Sequence, residues 1–214
     1  YISLHETKKT RAAVSLPSIR KMNDNVTFDE DLSQAIDTLR RGGVIVYPTD
    51  TVWGIGCDAT NNTAVRRVYE IKRRADAKAM LVLADSMTMI ERHVAHMPEI
   101  AYELIKAAVE PLTLIYDRGV GLAPSLLGPG GSIGIRLTRE RYSAGLCRGL
   151  RHPVVSTSAN ISGEPGAPFF NMINREIIDA ADYVSGWRRD DTVPRRPSTV
   201  IKVSGDFTVK ILRK

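Results

Sequence analysis

The chain is predicted to adopt an α/β fold in which helices flank a mixed sheet. Residues 44–48, VIVYP, form an uninterrupted apolar run, which is typical of a buried strand in a parallel or mixed sheet. Residues 62–74 carry an apolar stripe at helical spacing, formed by Ala64, Val65, Val68 and Ile71. Strand-like and helix-like segments alternate along the rest of the 214 residues, a length for which one domain is the default.

The other elements follow from local signals. A capping-box pattern at Thr27 and Glu30 predicts the start of a first helix, and Gly42 is expected to end it. Further strands are predicted at 80–84, 112–116, 132–138 and 153–157, and a terminal hairpin at 198–203 and 207–213. Further helices are predicted at 86–94, 98–109, 139–150 and 171–181, with a Gly- and Pro-rich loop at 119–132.

Small polar residues and glycines stand where predicted strands end. The first strand runs into a loop that contains Thr49, Asp50, Thr51, Gly54 and Gly56. The strand at 153–157 feeds a Ser-Thr-Ser-x-Asn loop, and Ser198 and Thr199 repeat the theme near the last hairpin. Ligands gather at such strand ends, where hydroxyls donate hydrogen bonds and glycines allow close approach to the backbone. The sequence therefore predicts a ligand site at these ends.

Three cations, Lys72, Arg73 and Arg74, crowd the end of the helix predicted at 62–74. One interpretation is compensation of the helix dipole. The other is that Lys72 and Arg74 leave the helix end and reach a polyanion.

Six motifs occur in a characteristic order: YPTDTVWGIG, Lys-x-Arg at 72–74, SIGIR, Ser-x-Asn at 158–160, PSTVI and a terminal ILRK. Together they resemble the YrdC/TsaC family of threonylcarbamoyl-AMP synthases over roughly residues 28–214. The resemblance implies a twisted mixed sheet with a concave basic face, in the short single-domain form. Residues 27–214 are then the catalytic domain and residues 1–26 a basic N-terminal extension. A solvated tail is the favoured interpretation of that extension, and a tail that follows RNA phosphates is the alternative.

The resemblance also implies a nucleotidyltransferase. In the family, bicarbonate and threonine combine into a carbamate, whose carboxylate attacks the α-phosphorus of ATP to give threonylcarbamoyl-AMP and pyrophosphate. The expected ligands are ATP with Mg²⁺, L-threonine and bicarbonate. The expected partners are a downstream threonylcarbamoyl transferase complex and tRNA.

Site residues are carried over by the same resemblance. Lys72 and Arg74 are expected to be catalytic, because Lys and Arg compensate phosphate charge. The expected ATP-binding residues are Lys72, Arg74, Lys78, Thr113, Ser158, Asn160 and Arg213. Ser158 and Asn160 are expected to donate to phosphate or ribose. Contacts with threonine are expected from Thr51, Ser156 and Ser198, and no metal ligand is expected from the protein.

The sequence departs from the family pattern at four positions. Ala79 and Thr138 stand where proline is usual, and Trp53 replaces a tyrosine while keeping an aromatic wall. Leu83 occupies the place of a histidine that contacts threonine in some members, which leaves one contact with the amino acid unassigned.

Composition agrees with an ordinary globular enzyme, at 43% hydrophobic and 25% charged residues. No apolar run approaches the ~20 residues that span a bilayer. The two cysteines match neither a metal site nor a disulfide framework, so a cytoplasmic location without membrane contact is expected. The net charge of +6 permits anionic partners.

Three alternatives remain open from the sequence. A YrdC-like module that binds double-stranded RNA would use the same basic face without chemistry and without ATP. A YciO-like relative would have another function, although the Lys-x-Arg and Ser-x-Asn motifs argue against it. A hydrogenase maturation factor would carry a YrdC-like module in a longer chain with zinc-finger motifs, and the absence of such motifs from this sequence argues against it.

Overall fold

Nine strands form a single mixed sheet in the computed structural model, which describes residues 26–74, 80–205 and 208–213. The strands are β1 Ile45–Tyr47, β2 Gly54–Gly56, β3 Leu81–Ala84, β4 Leu112–Tyr116, β5 Ile133–Leu137, β6 Val154–Ser158, β7 Tyr183–Val184, β8 Thr199–Val203 and β9 Val209–Arg213. Their order across the sheet is β7-β1-β2-β6-β3-β5-β4-β8-β9. The predicted α/β class with a mixed sheet is confirmed. The extension predicted at 1–26 lies outside the described residues except for its last position.

Six α-helices flank this sheet in the described ranges: α1 Phe28–Arg40, α2 Asn62–Ile71, α3 Met87–Arg92, α4 Glu99–Ala107, α5 Arg141–Leu150 and α6 Arg175–Ala180. The capping box predicted for α1 is confirmed. Thr27 Oγ1 accepts from the Glu30 amide at 3.3 Å, and the Thr27 amide donates to Glu30 Oε2 at 3.0 Å. Gly42 follows the helix with φ of 77°, which glycine adopts without steric cost. In the described part of the chain, none of these helices is long and apolar enough to cross a membrane.

Strand register places two predicted site residues, Ser156 and Thr113, on one face of the sheet. β3 pairs in parallel with β5, and β5 pairs antiparallel with β4, so Arg136 lies between Leu83 and Thr113. Ser156 of β6 stands opposite Leu81, two residues before Leu83 on the same strand. Because opposite residues in neighbouring strands share a face, Ser156, Leu83, Arg136 and Thr113 project to the same side. We call this side the site face.

The structure adds two strands to the prediction and corrects the bounds of two helices. Residues 54–56, expected to be loop, form β2, and the two-residue strand β7 was not predicted. The helix predicted at 62–74 ends at Ile71, and the segment 171–181 divides into a 3₁₀ turn at Phe170–Met172 and the helix α6. β2 escaped prediction because glycines replace the usual apolar alternation. A Cβ at Gly56 would lie 1.7 Å from the Val155 carbonyl oxygen, so only glycine permits this approach of β2 to β6.

A buried carboxylate joins α1 to the segment around β7. Asp31 is 3% exposed and accepts hydrogen bonds from Ser185 Oγ at 2.7 Å, the Gly186 amide at 3.1 Å and the Trp187 amide at 3.0 Å. The Tyr183 hydroxyl donates to the same carboxylate. Since a buried charge is tolerated when hydrogen bonds surround it, these donors explain how Asp31 can occupy the helix interface. The contact holds the chain in place immediately before Arg188.

Candidate active site

Lys72 joins the two motifs that the sequence places far apart. Its Nζ donates to the carbonyl oxygens of Ser158 and Asn160, the latter at 2.7 Å. The Asn160 contact crosses 88 residues of sequence. Lys72 is 1% exposed, so its side chain is buried against the end of β6. The expectation that it reaches a polyanion stays a prediction. The Lys72 side chain points toward the protein interior because it donates to two carbonyl oxygens at the end of β6.

Burial, together with a smaller contribution from the charge of Arg74, lowers the pKa of Lys72 from 10.5 to about 8. The ammonium form still dominates at neutral pH. An ammonium group has three N–H donors, and the two carbonyl oxygens use two of them. One donor therefore remains for a ligand oxygen.

Asn160 uses its amide nitrogen within its own loop. Nδ2 donates to the carbonyl oxygens of Ile161 at 2.9 Å and Glu164 at 2.8 Å. Oδ1 is buried without a hydrogen-bond partner among the described residues. The atom that Asn160 offers to a ligand is thus an acceptor, whereas the sequence led us to expect a donor. An acceptor suits a ribose hydroxyl better than a phosphate oxygen. Ser158 ends β6 beside it, with a half-buried side chain.

Arg74 follows the end of α2, where its amide donates to the Tyr69 carbonyl at 3.0 Å. Its side chain is half-buried, and burial lowers the pKa of its guanidinium. Its neighbour Arg73 points elsewhere and pairs with Glu176 at 2.6 Å on the exposed surface. Lys78, a predicted ATP contact, and Ala79 lie outside the described residues.

The loop between β1 and β2 brings Thr51 to a buried arginine. Thr49 Oγ1 and Thr51 Oγ1 are 3.1 Å apart, and Arg136 Nη2 donates to Thr51 Oγ1 at 3.4 Å. The same Nη2 lies 2.9 Å from Asp50 Oδ1, although the two are not aligned as a hydrogen bond. Burial raises the pKa of Asp50, and the charge of Arg136 opposes that shift.

The sequence reasoning missed Arg136 as a site residue. It is 3% exposed, and its Nε has no hydrogen-bond partner in the described ranges. A signal existed, because a charged residue inside the apolar strand SIGIRLT must either pair or bind when it is buried. Its partner Asp50 lies in a loop 86 residues earlier, which the strand sequence does not reveal.

Ser156 lies next to the Thr49–Thr51 loop. A Cβ placed on Gly54 would be 3.2 Å from Thr49 Cγ2 and 3.5 Å from Ser156 Oγ, so that glycine separates the two. The structure thus brings Thr51 and Ser156, both predicted to contact threonine, to the same region of the site face. Leu83 lies beside Arg136 on this face and gives it an apolar neighbour.

Thr113, Ser198 and Arg213 form a second hydroxyl cluster. Thr113 Oγ1 and Ser198 Oγ are 2.8 Å apart and buried. Arg213 Nη2 donates to Ser198 Oγ at 3.3 Å and, with Nε, to the Ser198 carbonyl oxygen at 2.9 and 3.0 Å. The sequence assigned Thr113 and Arg213 to the nucleotide and Ser198 to threonine. In the structure Ser198 contacts both Thr113 and Arg213, so the two ligand assignments meet at one cluster.

The segment 188–195, which we call the arginine strap, crosses the β1–β2 loop. Arg188 Nη1 donates to the Thr49 carbonyl oxygen at 3.1 Å. Asp191 Oδ2 lies between Arg188 Nη2 at 2.8 Å and Arg195 Nη2 at 3.0 Å. The Val193 amide and the arginines lower the pKa of Asp191 to about 2. The strap closes a cavity lined by Pro48, Thr49, Thr51, Val52, Trp53, Pro168, Arg188, Asp191, Val193 and Arg195.

Comparison with known proteins agrees with this architecture. The sequence model of the Sua5/YciO/YrdC family, described as telomere recombination, matches residues 37–214. A protein of Thiobacillus denitrificans named threonylcarbamoyl-AMP synthase is 37% identical over 82% of this chain and 90% of its own length. A protein of Cellvibrio japonicus with the same name is 34% identical over 72% of this chain and 82% of its own length.

Solved structures agree on the fold. P. abyssi Sua5, complexed with L-threonine, superposes with a TM-score of 0.76 at 24% identity. The match covers 88% of this chain, which spans 55% of that longer protein. E. coli YciO superposes with a TM-score of 0.74 at 24% identity and is matched over 91% of its length by 89% of this chain.

Proposed function

The chain belongs to the Sua5/YciO/YrdC family, and we propose that it acts as a threonylcarbamoyl-AMP synthase. In this proposal it is a nucleotidyltransferase that converts L-threonine, bicarbonate and ATP into threonylcarbamoyl-AMP and pyrophosphate. Relatives that carry this name at 34–37% identity support the assignment.

The observation that carries the proposal is the bridge from Lys72 to the carbonyl oxygens of Ser158 and Asn160. Through it a cationic helix end and a hydroxyl-amide loop form one site. Nucleotidyl transfer needs little covalent help from a protein, and it does need positioning and compensation of phosphate charge. Lys72 and Arg74 supply two positive charges, and Ser158 and Asn160 supply polar groups for the nucleotide.

In the first step, the threonine amine combines with bicarbonate and releases water, which gives a carbamate. The carbamate oxygen then attacks the α-phosphorus of ATP, and pyrophosphate leaves. Lys72, through its remaining N–H, and Arg74 compensate the charge that spreads over the phosphate oxygens in the transition state. We propose Mg²⁺ as the companion of ATP, held by its phosphates.

The amino-acid end of the substrate is proposed to lie at Thr51, Ser156 and Arg136. A buried guanidinium with an unpartnered Nε suits a carboxylate, and the two hydroxyls suit its neighbouring polar atoms. The Thr113–Ser198–Arg213 cluster is proposed to lie where amino acid and nucleotide meet. A downstream threonylcarbamoyl transferase complex and tRNA are the proposed partners of the product.

The YciO-like role and the RNA-binding module stay as alternatives. The likeness to E. coli YciO concerns the fold alone and does not separate a YciO-like role from the proposed synthase activity. The concave basic face and the cytoplasmic location stay predictions of the sequence.

The test is release of pyrophosphate from ATP with each substrate omitted in turn. The proposal expects release that requires threonine and bicarbonate together. It also expects serine to be a poorer substrate by about tenfold or more, as the loss of one methyl contact implies. Pyrophosphate release that is indifferent to the amino acid would exclude the assignment, and tRNA retention without ATP turnover would favour the RNA-binding module.

A further inference from the structure

Arg195 lines the cavity under the arginine strap and, in the described part of the chain, has a buried donor without an acceptor. Arg195 Nε is buried and has no hydrogen-bond partner among the described residues. Its Nη2 is already bound to Asp191 Oδ2. A buried N–H without an acceptor costs the desolvation free energy of the group. The orphaned Nε is therefore a donor that a ligand oxygen reaching this cavity would satisfy.

The charges around the strap favour a negatively charged acceptor. Asp191 is shared, because Arg188 binds it through Nε at 2.9 Å and Nη2 at 2.8 Å while Arg195 binds it at 3.0 Å. Arg188 also lies 3.5 Å from Glu140, which gives it a second carboxylate. Arg195 shares Asp191 with Arg188 and has no second carboxylate among the described ion pairs. Its positive charge is therefore less compensated than that of Arg188.

The cavity itself restricts the size of the ligand group. At about 10 Å³ it has room for one water-sized group, and Trp53, Pro168 and Val52 supply apolar wall. A triphosphate does not fit there. Thr51 lines the same cavity and places it beside the proposed amino-acid end of the site.

We infer that Arg195 is a substrate-binding residue whose Nε donates to one oxygen of a small carboxylate-type anion, and that this oxygen alone enters the cavity. Two substrates of the proposed reaction offer such an oxygen, the carboxylate of the amino acid and bicarbonate. The inference rests on the proposed function and adds a specificity-determining residue to it. Asp191 is a positioning residue in this inference, because it orients the guanidinium of Arg195 through the bond to Nη2.

The experiment compares Arg195→Gln with Arg196→Gln. Arg196 is the exposed neighbour, so its variant makes the same change in net charge on the same segment. Threonine binding is measured by titration calorimetry without ATP. KM values for threonine, bicarbonate and ATP are measured by pyrophosphate release. Arg195→Lys keeps the charge but lacks the Nε donor, and thermal melting checks that each variant is folded.

If the ligand oxygen belongs to the amino acid, Arg195→Gln weakens threonine binding by about tenfold or more and leaves the KM for bicarbonate unchanged. If it belongs to bicarbonate, the KM for bicarbonate rises by a similar factor and threonine binding is unchanged. In both cases the KM for ATP stays within about twofold, Arg196→Gln resembles the wild type and Arg195→Lys recovers part of the loss.

Wild-type values for threonine and bicarbonate in a folded Arg195→Gln protein would overturn the inference and leave only a water in the cavity. Should Arg195→Gln fail to fold, Arg195→Lys carries the test by itself. A wild-type protein without threonine-dependent turnover would instead refute the proposed function, and the inference with it. The two failures are therefore distinguishable.

Discussion

Replacing Lys72 by methionine should change the stability of the protein in a way that depends on pH. In the folded protein, burial holds the pKa of Lys72 at about 8, against 10.5 for an ordinary lysine. Between these two values the unfolded chain binds more protons than the folded one, so stability that depends on Lys72 rises with pH. Methionine has no titrating group, so the Lys72→Met protein lacks this rise.

The magnitude follows from the two pKa values. At about pH 7 both states bind the proton, and the folded state carries nearly the full cost of a charged, buried ammonium. At about pH 9.5 the folded lysine is neutral, while the unfolded lysine is still mostly protonated. Integrating the difference in bound protons gives a relative gain of about 2 kcal/mol for the wild type over this interval.

Urea unfolding of both proteins at the two pH values measures this gain directly. Arg73→Met is the matched control, because Arg73 lies at the same helix end and its side chain is exposed. The unfolding free energy of Arg73→Met should differ little from that of the wild type, and the difference should not change with pH. The quantity compared is the unfolding free energy of the wild type minus that of Lys72→Met. If this value does not change with pH, or falls as pH rises, Lys72 is not held as a buried ammonium.

Three further outcomes are expected. The value of kcat/KM should fall as pH rises through about 8, because the ammonium form of Lys72 is the one that compensates phosphate charge. A value of kcat/KM that rises through this range would exclude that role. Arg74→Ala should lose about a hundredfold or more in turnover while its melting curve stays close to wild type, and a folded variant with normal turnover would reduce Arg74 to a helix-end charge. Val65→Asp should unfold or precipitate the protein, since Val65 is fully buried in α2, whereas Thr63→Asp on the exposed side of the same helix should melt normally.

Much of the fold was predictable because its signals are local. The capping box before α1, the apolar runs of β4 and β5 and the stripe of α2 each lie within one segment. β2 and β7 were missed because they are two or three residues long and depend on their sheet neighbours for their conformation. The end of α2 was misplaced for a related reason, since nothing in residues 72–74 themselves says that the helix stops at Ile71.

Several residues of the candidate site could be named from the sequence, although Arg136 was missed, and the contacts between them could not be predicted. The Lys-x-Arg and Ser-x-Asn motifs do meet, as the resemblance implied. The direction of the Lys72 side chain depends on carbonyl oxygens from β6, and backbone oxygens leave no mark in a sequence. The Asp50–Arg136 pair and the shared Asp191 of the strap likewise depend on distant segments. The assignment of ligands to these residues stays a prediction.

The Asp31 contact also sets an order in time. Its donors, Tyr183, Ser185, Gly186 and Trp187, are 152 to 156 residues further along the chain. A ribosome adding about 5–20 residues per second needs roughly 8–30 s to cover that distance. During this time α1 is already made, but the groups that seat its carboxylate have not yet emerged. Such long-range closures slow folding. The nascent chain is thus expected to expose the apolar side of α1 until these donors emerge. We expect chaperones to bind this exposed side during synthesis.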